Sequence, residues 1–152
     1  MKNKIFWLIM LILILTVSCG EKNNASGTDG SKEIVLRFLW WGSESRHKAT
    51  LDAIKLFEEK NPGIKIKAEY GGTDGYFQKL STQLRGNTAP DIMQVDYIWL
   101  FNFSKNGDGF YDINLLKDEF NLANYTKEDL SYTTINGKLN AIPVGMNGRA
   151  FF

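Results

Sequence analysis

The sequence predicts an α/β fold with a doubly wound, mostly parallel sheet. Strand-like apolar or alternating runs take turns with segments of helical periodicity, and glycine, proline or asparagine separates them. The order between about residues 32 and 105 is strand, helix, strand, helix, strand, helix. Strands that alternate with helices of this length pair in parallel through right-handed crossovers, which places helices on both faces of an open sheet.

The first strand and helix carry clear signals. The run KEIVLRFLWW (32–41) is β-branched and aromatic, and it predicts a buried strand. A helix is predicted from Arg46 to Lys60, with Ser43 or Ser45 as its cap, and Asn-Pro-Gly at 61–63 ends it. Its expected apolar stripe consists of Ala49, Ala53, Ile54 and Phe57.

Two further strand–helix pairs follow. Residues 64–70 alternate apolar and charged side chains, which predicts a strand with one wetter face. Thr73 or Asp74 is expected to cap the next helix. The run DIMQV (91–95) predicts a third short strand, and a helical stretch follows from about Tyr97 to Lys105.

The pattern loosens after residue 109. A helical turn is predicted near 115–120, and Thr126 precedes Asp129 at capping-box spacing, with Asp in place of Glu or Gln. Asn136-Gly137 lies between two short strand-like runs and predicts a β-hairpin. An ordinary surface turn is the alternative at that position.

The first 18 residues resemble a lipoprotein signal peptide. A positive start is followed by an almost unbroken apolar run of 13 residues, too short for the roughly 20 that span a membrane. The run ends at Ser18-Cys19, similar to the lipobox of bacterial lipoproteins, although Thr16 stands where leucine is usual. Cys19 is therefore expected to be the lipidated first residue of the mature chain. A plain secretory signal with an incidental Cys19 is the alternative.

Residues 19–32 are predicted to be a flexible tether, and residues 33–152 the globular part. The tether has no apolar side chain larger than alanine before Lys32, so it cannot order itself by burial. Cys19 is the only cysteine, so the globular part must rely on an apolar core without an internal disulfide.

Charge and motifs exclude several functions. Without Lys2 and Lys4, 16 basic residues oppose 17 acidic ones, which gives no support to nucleic-acid binding. The sequence shows no metal-ligand cluster, nucleophile elbow or phosphate loop, so neither a metal nor a cofactor is expected.

Residues that suit a sugar follow the predicted strands. In an open α/β sheet the ligand lies beyond the carboxyl ends of the strands. Here those ends read Trp40-Trp41-Gly42, Tyr70-Gly71-Gly72 and Asp96-Tyr97. Aromatic faces can pack on the C–H face of a pyranose, and a carboxylate accepts strong hydrogen bonds from hydroxyls. The two tryptophans point to opposite faces of the strand, and Trp41 is favoured for the site.

Purely structural roles are the alternative for the other candidates. Asp96 could cap the following helix, and Tyr97 could pack that helix against the sheet. His47 is the only histidine, and a lone histidine is more often structural or solvated than a ligand.

Four stretches together resemble family 1 extracellular solute-binding proteins, the sugar receptors of bacterial ABC importers: WWGS, AIKLFEEKNPGIKIKAEY, FQKLSTQLRGNTAPDIMQVD and NGKLNAIPVGMNGRAFF. The resemblance implies that the chain is an incomplete N-terminal lobe of a two-lobe periplasmic-binding-protein-like fold, without the second lobe. It also implies sugar contacts at Trp41, Gly42, Ser43, Glu44, Asp96, Tyr97 and Asn147.

The expected function is a non-enzymatic receptor at the cell envelope. Lipid-anchored to the outer face of the cytoplasmic membrane, it would capture a sugar or oligosaccharide and deliver it to the permease subunits of an ABC transporter. The alternatives are a secreted, lipid-anchored glycoside-cleaving enzyme and a structural adhesin.

Arg46 and His47 lie at the start of a helix, where cations oppose the helix dipole, so we also predict an acidic substrate held there. Two side chains that simply point to solvent are the alternative.

Overall fold

The computed structural model describes residues 33–145 except 117 and 120. Its strands and helices alternate over the first two thirds of that range. In chain order they are β1 (Ile34–Trp41), α1 (Glu44–Lys60), β2 (Ile64–Gly71), α2 (Tyr76–Arg85), β3 (Ile92–Met93), α3 (Tyr97–Phe103), a 3-10 helix (Ile113–Leu116), α4 (Lys127–Ser131), β4 (Thr134–Ile135) and β5 (Lys138–Leu139).

The main sheet is parallel, with β1 between its two partners. The order is β2-β1-β3, and the register pairs Ile34 with Ile64 and Phe38 with Ile92. The chain leaves β1 for β2 on one side and then crosses β1 to form β3 on the other. Right-handed crossovers in opposite directions place α1 and α2 on opposite faces. The doubly wound fold is confirmed.

Side chains of β1 are buried on both faces of the sheet. Leu39 contacts Tyr76 and Leu80 of α2, and this cluster forms the core of that layer. Trp40 points the other way, toward α1, and is only 2% exposed. The apolar, non-alternating sequence of β1 follows from this double burial.

The turn and cap predicted after residue 109 are confirmed. Asn136 and Gly137 have φ of 51° and 80°, the left-handed values of a two-residue hairpin turn between β4 and β5. The Thr126 hydroxyl accepts from the Asp129 N–H, and the Asp129 carboxylate accepts from the Thr126 N–H, which completes a capping box.

Two local predictions are wrong, and the predicted third strand is present but shorter than expected. Helix α2 is capped by Gly75, with φ of 72°, and not by Thr73 or Asp74. Strand β3 pairs over only two residues. In α1 the sheet-facing positions are 47, 50, 51, 54 and 58, whereas Phe57 is 42% exposed, so the stripe lies on a different face from the one that the alanines suggested.

The signal segment, Cys19, the tether and Asn147 lie outside the described residues. Within residues 33–145, no helix combines the length and the apolar character needed to cross a membrane.

Candidate functional site

At the carboxyl end of the sheet, the connections between strands lead to opposite sides of β1. The connection from β1 leads to β2 on one side, and β3 arrives on the other side, so the switch point lies between the ends of β1 and β3. Crevices at such points hold the ligands of open α/β folds. Four residues meet here, and we name them the switch-point cluster: Trp41, Gly42, Arg46 and Gln94.

Trp41 anchors one side of the cluster. Its ring centroid lies 4.8 Å from that of Tyr76 and 5.4 Å from that of Trp99, and the side chain is partly buried. Trp40 is instead enclosed between β1 and α1. Trp40 is therefore a core residue, whereas Trp41 lies at the edge of the sheet and packs in part against the core cluster of α2. A sugar contact by Trp41 stays a prediction.

Gly42 lets Arg46 lie across the end of β1. A Cβ at Gly42 would be 2.4 Å from Cδ of Arg46, closer than side-chain atoms approach. The aliphatic stem of Arg46 thus packs directly on the glycine backbone, and Nη1 donates to the Trp41 carbonyl at 3.3 Å. The side chain starts from an exposed helix position, yet it lies along the edge of the sheet.

Gln94 joins the ends of β1 and β3. Its backbone N–H donates to the Leu39 carbonyl at 2.8 Å, and its own carbonyl accepts from the Tyr76 hydroxyl at 2.8 Å. With the amide oxygen toward Arg46, Gln94 accepts from Nη1 at 3.2 Å and donates to the Trp41 carbonyl at 3.3 Å. In the opposite orientation the amide oxygen would accept from the Trp41 N–H at 3.3 Å. The amide N–H groups of Gln94 would then face the N–H groups of the guanidinium, and neither could accept. We therefore take the first orientation.

Gln94 was not among the site residues predicted from the sequence. The signal was present, because a polar side chain that directly follows a short apolar strand lies at the ligand edge of the sheet. Its significance depends on Arg46, which is 48 positions earlier in the chain.

His47 belongs to the interior. The Trp40 indole N–H donates to Nδ1 of His47 at 3.1 Å, and the histidine is 6% exposed. Its ring also lies 4.6 Å from that of Tyr70, whose outer face is open at the end of β2. The structure thus separates the two predicted cations: Arg46 lies at the switch point, whereas His47 supports the aromatic packing beneath it.

Asp96 and Tyr97 begin α3 beside this cluster. Oδ1 of Asp96 accepts from the Ile98 N–H at 3.1 Å, so the carboxylate caps the helix. In the described part of the chain its Oδ2 atom makes no hydrogen bond. Tyr97 is 57% exposed and does not pack the helix against the sheet.

Ser43 lies in the turn between β1 and α1, and Glu44 is the first residue of α1. Both side chains are exposed, and the Ser43 hydroxyl lies 2.9 Å from that of Ser45. Ser43 is the N-cap residue of α1, but its side chain accepts no capping hydrogen bond, and its exposed hydroxyl pairs with Ser45 instead.

An ion-pair network fixes the loop that leads into β3. Arg37 Nε donates to Glu69 at 2.7 Å, Nη1 donates to the Thr88 carbonyl at 2.8 Å, and the Arg37 N–H donates to Asp91. The hydrogen bond from Arg37, together with its charge, holds the pKa of the Glu69 carboxyl below its usual range.

Burial raises the pKa of the Tyr76 phenol, so this hydroxyl stays protonated and can donate to the Leu39 and Gln94 carbonyls.

Among the described residues, neither a metal-binding group nor the depression beside the hairpin involves this edge. No group of three His, Cys, Asp or Glu side chains among them could hold a metal ion. A shallow depression of about 430 Å³ is lined by residues of the 3-10 helix, α4 and the hairpin, and contains none of the predicted site residues.

The family follows from a comparison of the whole sequence. The family model of the bacterial extracellular solute-binding proteins matches residues 41–146, which is well over half of the chain. The chain belongs to this family. The predicted resemblance is confirmed, and the match includes the switch-point cluster, Asp96 and Tyr97.

Solved structures and a curated relative agree with this assignment. A periplasmic oligogalacturonide-binding protein from Yersinia enterocolitica, solved with saturated digalacturonic acid, is 46% identical with a TM-score of 0.73, over 74% of this chain and 28% of that protein. A maltooligosaccharide ABC transporter solute-binding lipoprotein of Streptococcus pneumoniae is 26% identical over 89% of this chain and 31% of its own length. The chain thus spans about a quarter to a third of the length of its relatives.

A designed protein is also similar. A de novo designed cysteine esterase is 46% identical with a TM-score of 0.73, over 75% of this chain and 28% of the designed one. Because that esterase activity was designed, it carries no argument about the activity of this chain.

Proposed function

We propose that these residues form one wall of the sugar-binding cleft of a lipid-anchored receptor, which captures an acidic oligosaccharide and delivers it to an ABC importer. The observation that carries the proposal is the position of Arg46 at the switch point, beside Trp41 and close in sequence to the turn at Ser43 and Glu44. Aromatic rings, the exposed hydroxyls of Ser43 and Ser45, and a cation at one sheet edge suit a sugar that bears a carboxylate.

The acidic substrate is supported by the surroundings of Arg46. Its Nη1 atom hydrogen-bonds to neutral oxygens, and no carboxylate within residues 33–145 forms an ion pair with it. By contrast, Arg37 is paired with Glu69. A guanidinium with free donors near the first turn of a 17-residue helix can bind an anion, and a carboxylate fits its forked geometry. The digalacturonate bound to the Yersinia protein is an anion of this class.

Two parts of the proposal rest on the sequence and the family alone. Lipid anchoring depends on Cys19, and delivery to permease subunits depends on the role of related receptors. Direct contacts from Gly42, Glu44, Tyr97 and Asn147 likewise follow from the resemblance, and we keep them in the proposal.

Calorimetry on the product of the whole reading frame that contains these residues tests the function. The titrants are digalacturonate, trigalacturonate and maltotriose, and chromatography of the recovered ligand follows each titration. We expect the galacturonates to bind at least tenfold more tightly than maltotriose and to return intact. Tighter binding of maltotriose would overturn the acidic substrate, and cleaved ligand would overturn the receptor function.

Anchoring has its own test. Growth with radiolabelled palmitate should label the wild-type product and leave Cys19→Ala unlabelled. Equal labelling of both, or of neither, would contradict a lipid on Cys19.

A further inference from the structure

We propose that Gln94 is a specificity-determining residue that orients the guanidinium of Arg46 for the carboxylate of an acidic sugar. The inference rests on the proposed function and adds the residue that makes the cation selective. Arg46 contacts the ligand, and Gln94 acts through Arg46.

The backbone of Gln94 is held on two sides. Its N–H donates to the Leu39 carbonyl in β1, and its carbonyl accepts from the buried Tyr76 hydroxyl. Tyr76 is itself 4% exposed and donates to Leu39 as well. The Cα of Gln94 therefore has a fixed position relative to the end of β1.

The side chain of Gln94 then has two partners on the far side of the switch point. Its nitrogen donates to the Trp41 carbonyl at 3.3 Å, and its oxygen accepts from Arg46 Nη1 at 3.2 Å. The Trp41 carbonyl also accepts from the same Nη1. Two neutral acceptors thus direct one end of the guanidinium, while the contact with Gly42 fixes its stem.

The choice of a neutral amide has a consequence for selectivity. Carbonyl and amide oxygens orient a guanidinium without cancelling its charge, so the remaining N–H donors keep their attraction for a carboxylate. A glutamate at position 94 would form an ion pair with Arg46 and take the place of the ligand carboxylate. Gln94 therefore determines whether Arg46 is available to an anion.

Two substitutions separate orientation from charge. In the product of the whole reading frame, Gln94→Glu should lower the affinity for digalacturonate at least tenfold and change that for maltotriose less than about twofold. Gln78→Glu is the matched control, because it adds the same charge at an exposed position of α2 and should leave both affinities unchanged.

A double-mutant cycle tests whether Gln94 acts through Arg46. Gln94→Met should weaken digalacturonate binding severalfold in the wild-type background and less than twofold in the Arg46→Gln background. Thermal unfolding of each variant is the control that tests whether the folded state persists.

The outcomes distinguish this inference from the proposed function. A wild-type product that does not bind digalacturonate overturns both. If the wild type binds it but Gln94→Glu binds equally well, only the role of Gln94 is overturned. Equal losses from Gln94→Met in the two backgrounds would also overturn it, because Gln94 would then act independently of Arg46.

Discussion

The indole N–H of Trp40 donates to Nδ1 of His47 at 3.1 Å, in a contact from which solvent is almost excluded. Since Nδ1 accepts, the ring proton of the neutral histidine resides on Nε2. The bond connects the end of β1 to the first turn of α1. It therefore helps to fix the helix position from which Arg46 reaches the switch point.

Replacing His47 should destabilise the fold. His47→Leu removes the only acceptor of the Trp40 indole among the described residues, and a buried unpaired donor costs about 1–3 kcal/mol. His47→Gln keeps an amide oxygen as an acceptor and should recover at least half of that loss. Urea unfolding followed by tryptophan fluorescence measures both. If the two variants unfold at the same urea concentration, the hydrogen bond contributes nothing beyond packing.

Asp96 can be tested for its two roles separately. Asn is as good a helix cap as Asp, so Asp96→Asn should leave the free energy of unfolding within about 0.5 kcal/mol of the wild-type value. Loss of the charged acceptor should still weaken sugar binding about tenfold or more, since hydrogen bonds to charged groups contribute about 1.5–3 kcal/mol. Asp96→Ala should lose the affinity and also about 1 kcal/mol of stability. Normal sugar binding by Asp96→Asn, measured by calorimetry, would assign the residue to the cap alone.

Local patterns predicted the elements well and their exact neighbours less well. The β-branched and aromatic run of β1 and the two-residue alternation of β2 identified both strands, because each pattern is visible within a few consecutive residues. The Asn136-Gly137 turn was equally visible, since few residue pairs tolerate two left-handed conformations. The cap of α2 was not, because Gly75 acts through its backbone conformation and leaves no side-chain signal.

The positions of the candidate site residues were predicted in part, and their contact with a ligand stays a prediction. Trp41 and Arg46 were placed correctly at the edge of the sheet, because chain position alone decides it. The burial of His47 was missed because a charged sequence, Glu44 to Lys48, looks like a solvated helix face. Its partner Trp40 and the stacked Tyr70 become neighbours only through strand pairing, as do Gln94 and Trp41. Such contacts depend on tertiary structure, and no local pattern encodes them.

Acid should weaken the fold through Glu69. Its folded-state pKa lies below the usual value of about 4.3, so the pair with Arg37 contributes fully above that pH. The contribution is lost as the pH falls through the folded-state pKa. Wild type and Glu69→Gln should therefore differ most in urea unfolding at pH 7, and the difference should shrink as the pH falls below the usual carboxyl pKa of about 4.3. Glu59→Gln, at an exposed position of α1, is the control and should parallel the wild type. A constant difference between wild type and Glu69→Gln from pH 7 to pH 3 would show that the ion pair does not contribute to stability.

The 152 residues on their own should bind sugar only weakly. Clefts that hold small ligands bury most of the ligand surface, and the switch-point cluster offers one wall with an open side. Sugar hydroxyls that face away from this wall would keep their hydrogen bonds to water, and the affinity of the second wall would be missing. Calorimetry with digalacturonate should show no dissociation constant below the millimolar range, while an NMR titration should still shift the signals of Trp41 and Gln94. The Yersinia oligogalacturonide-binding protein serves as a positive control for the ligand. Micromolar binding by these residues alone would mean that a single wall is sufficient, and the two-lobe cleft would no longer be needed to explain capture.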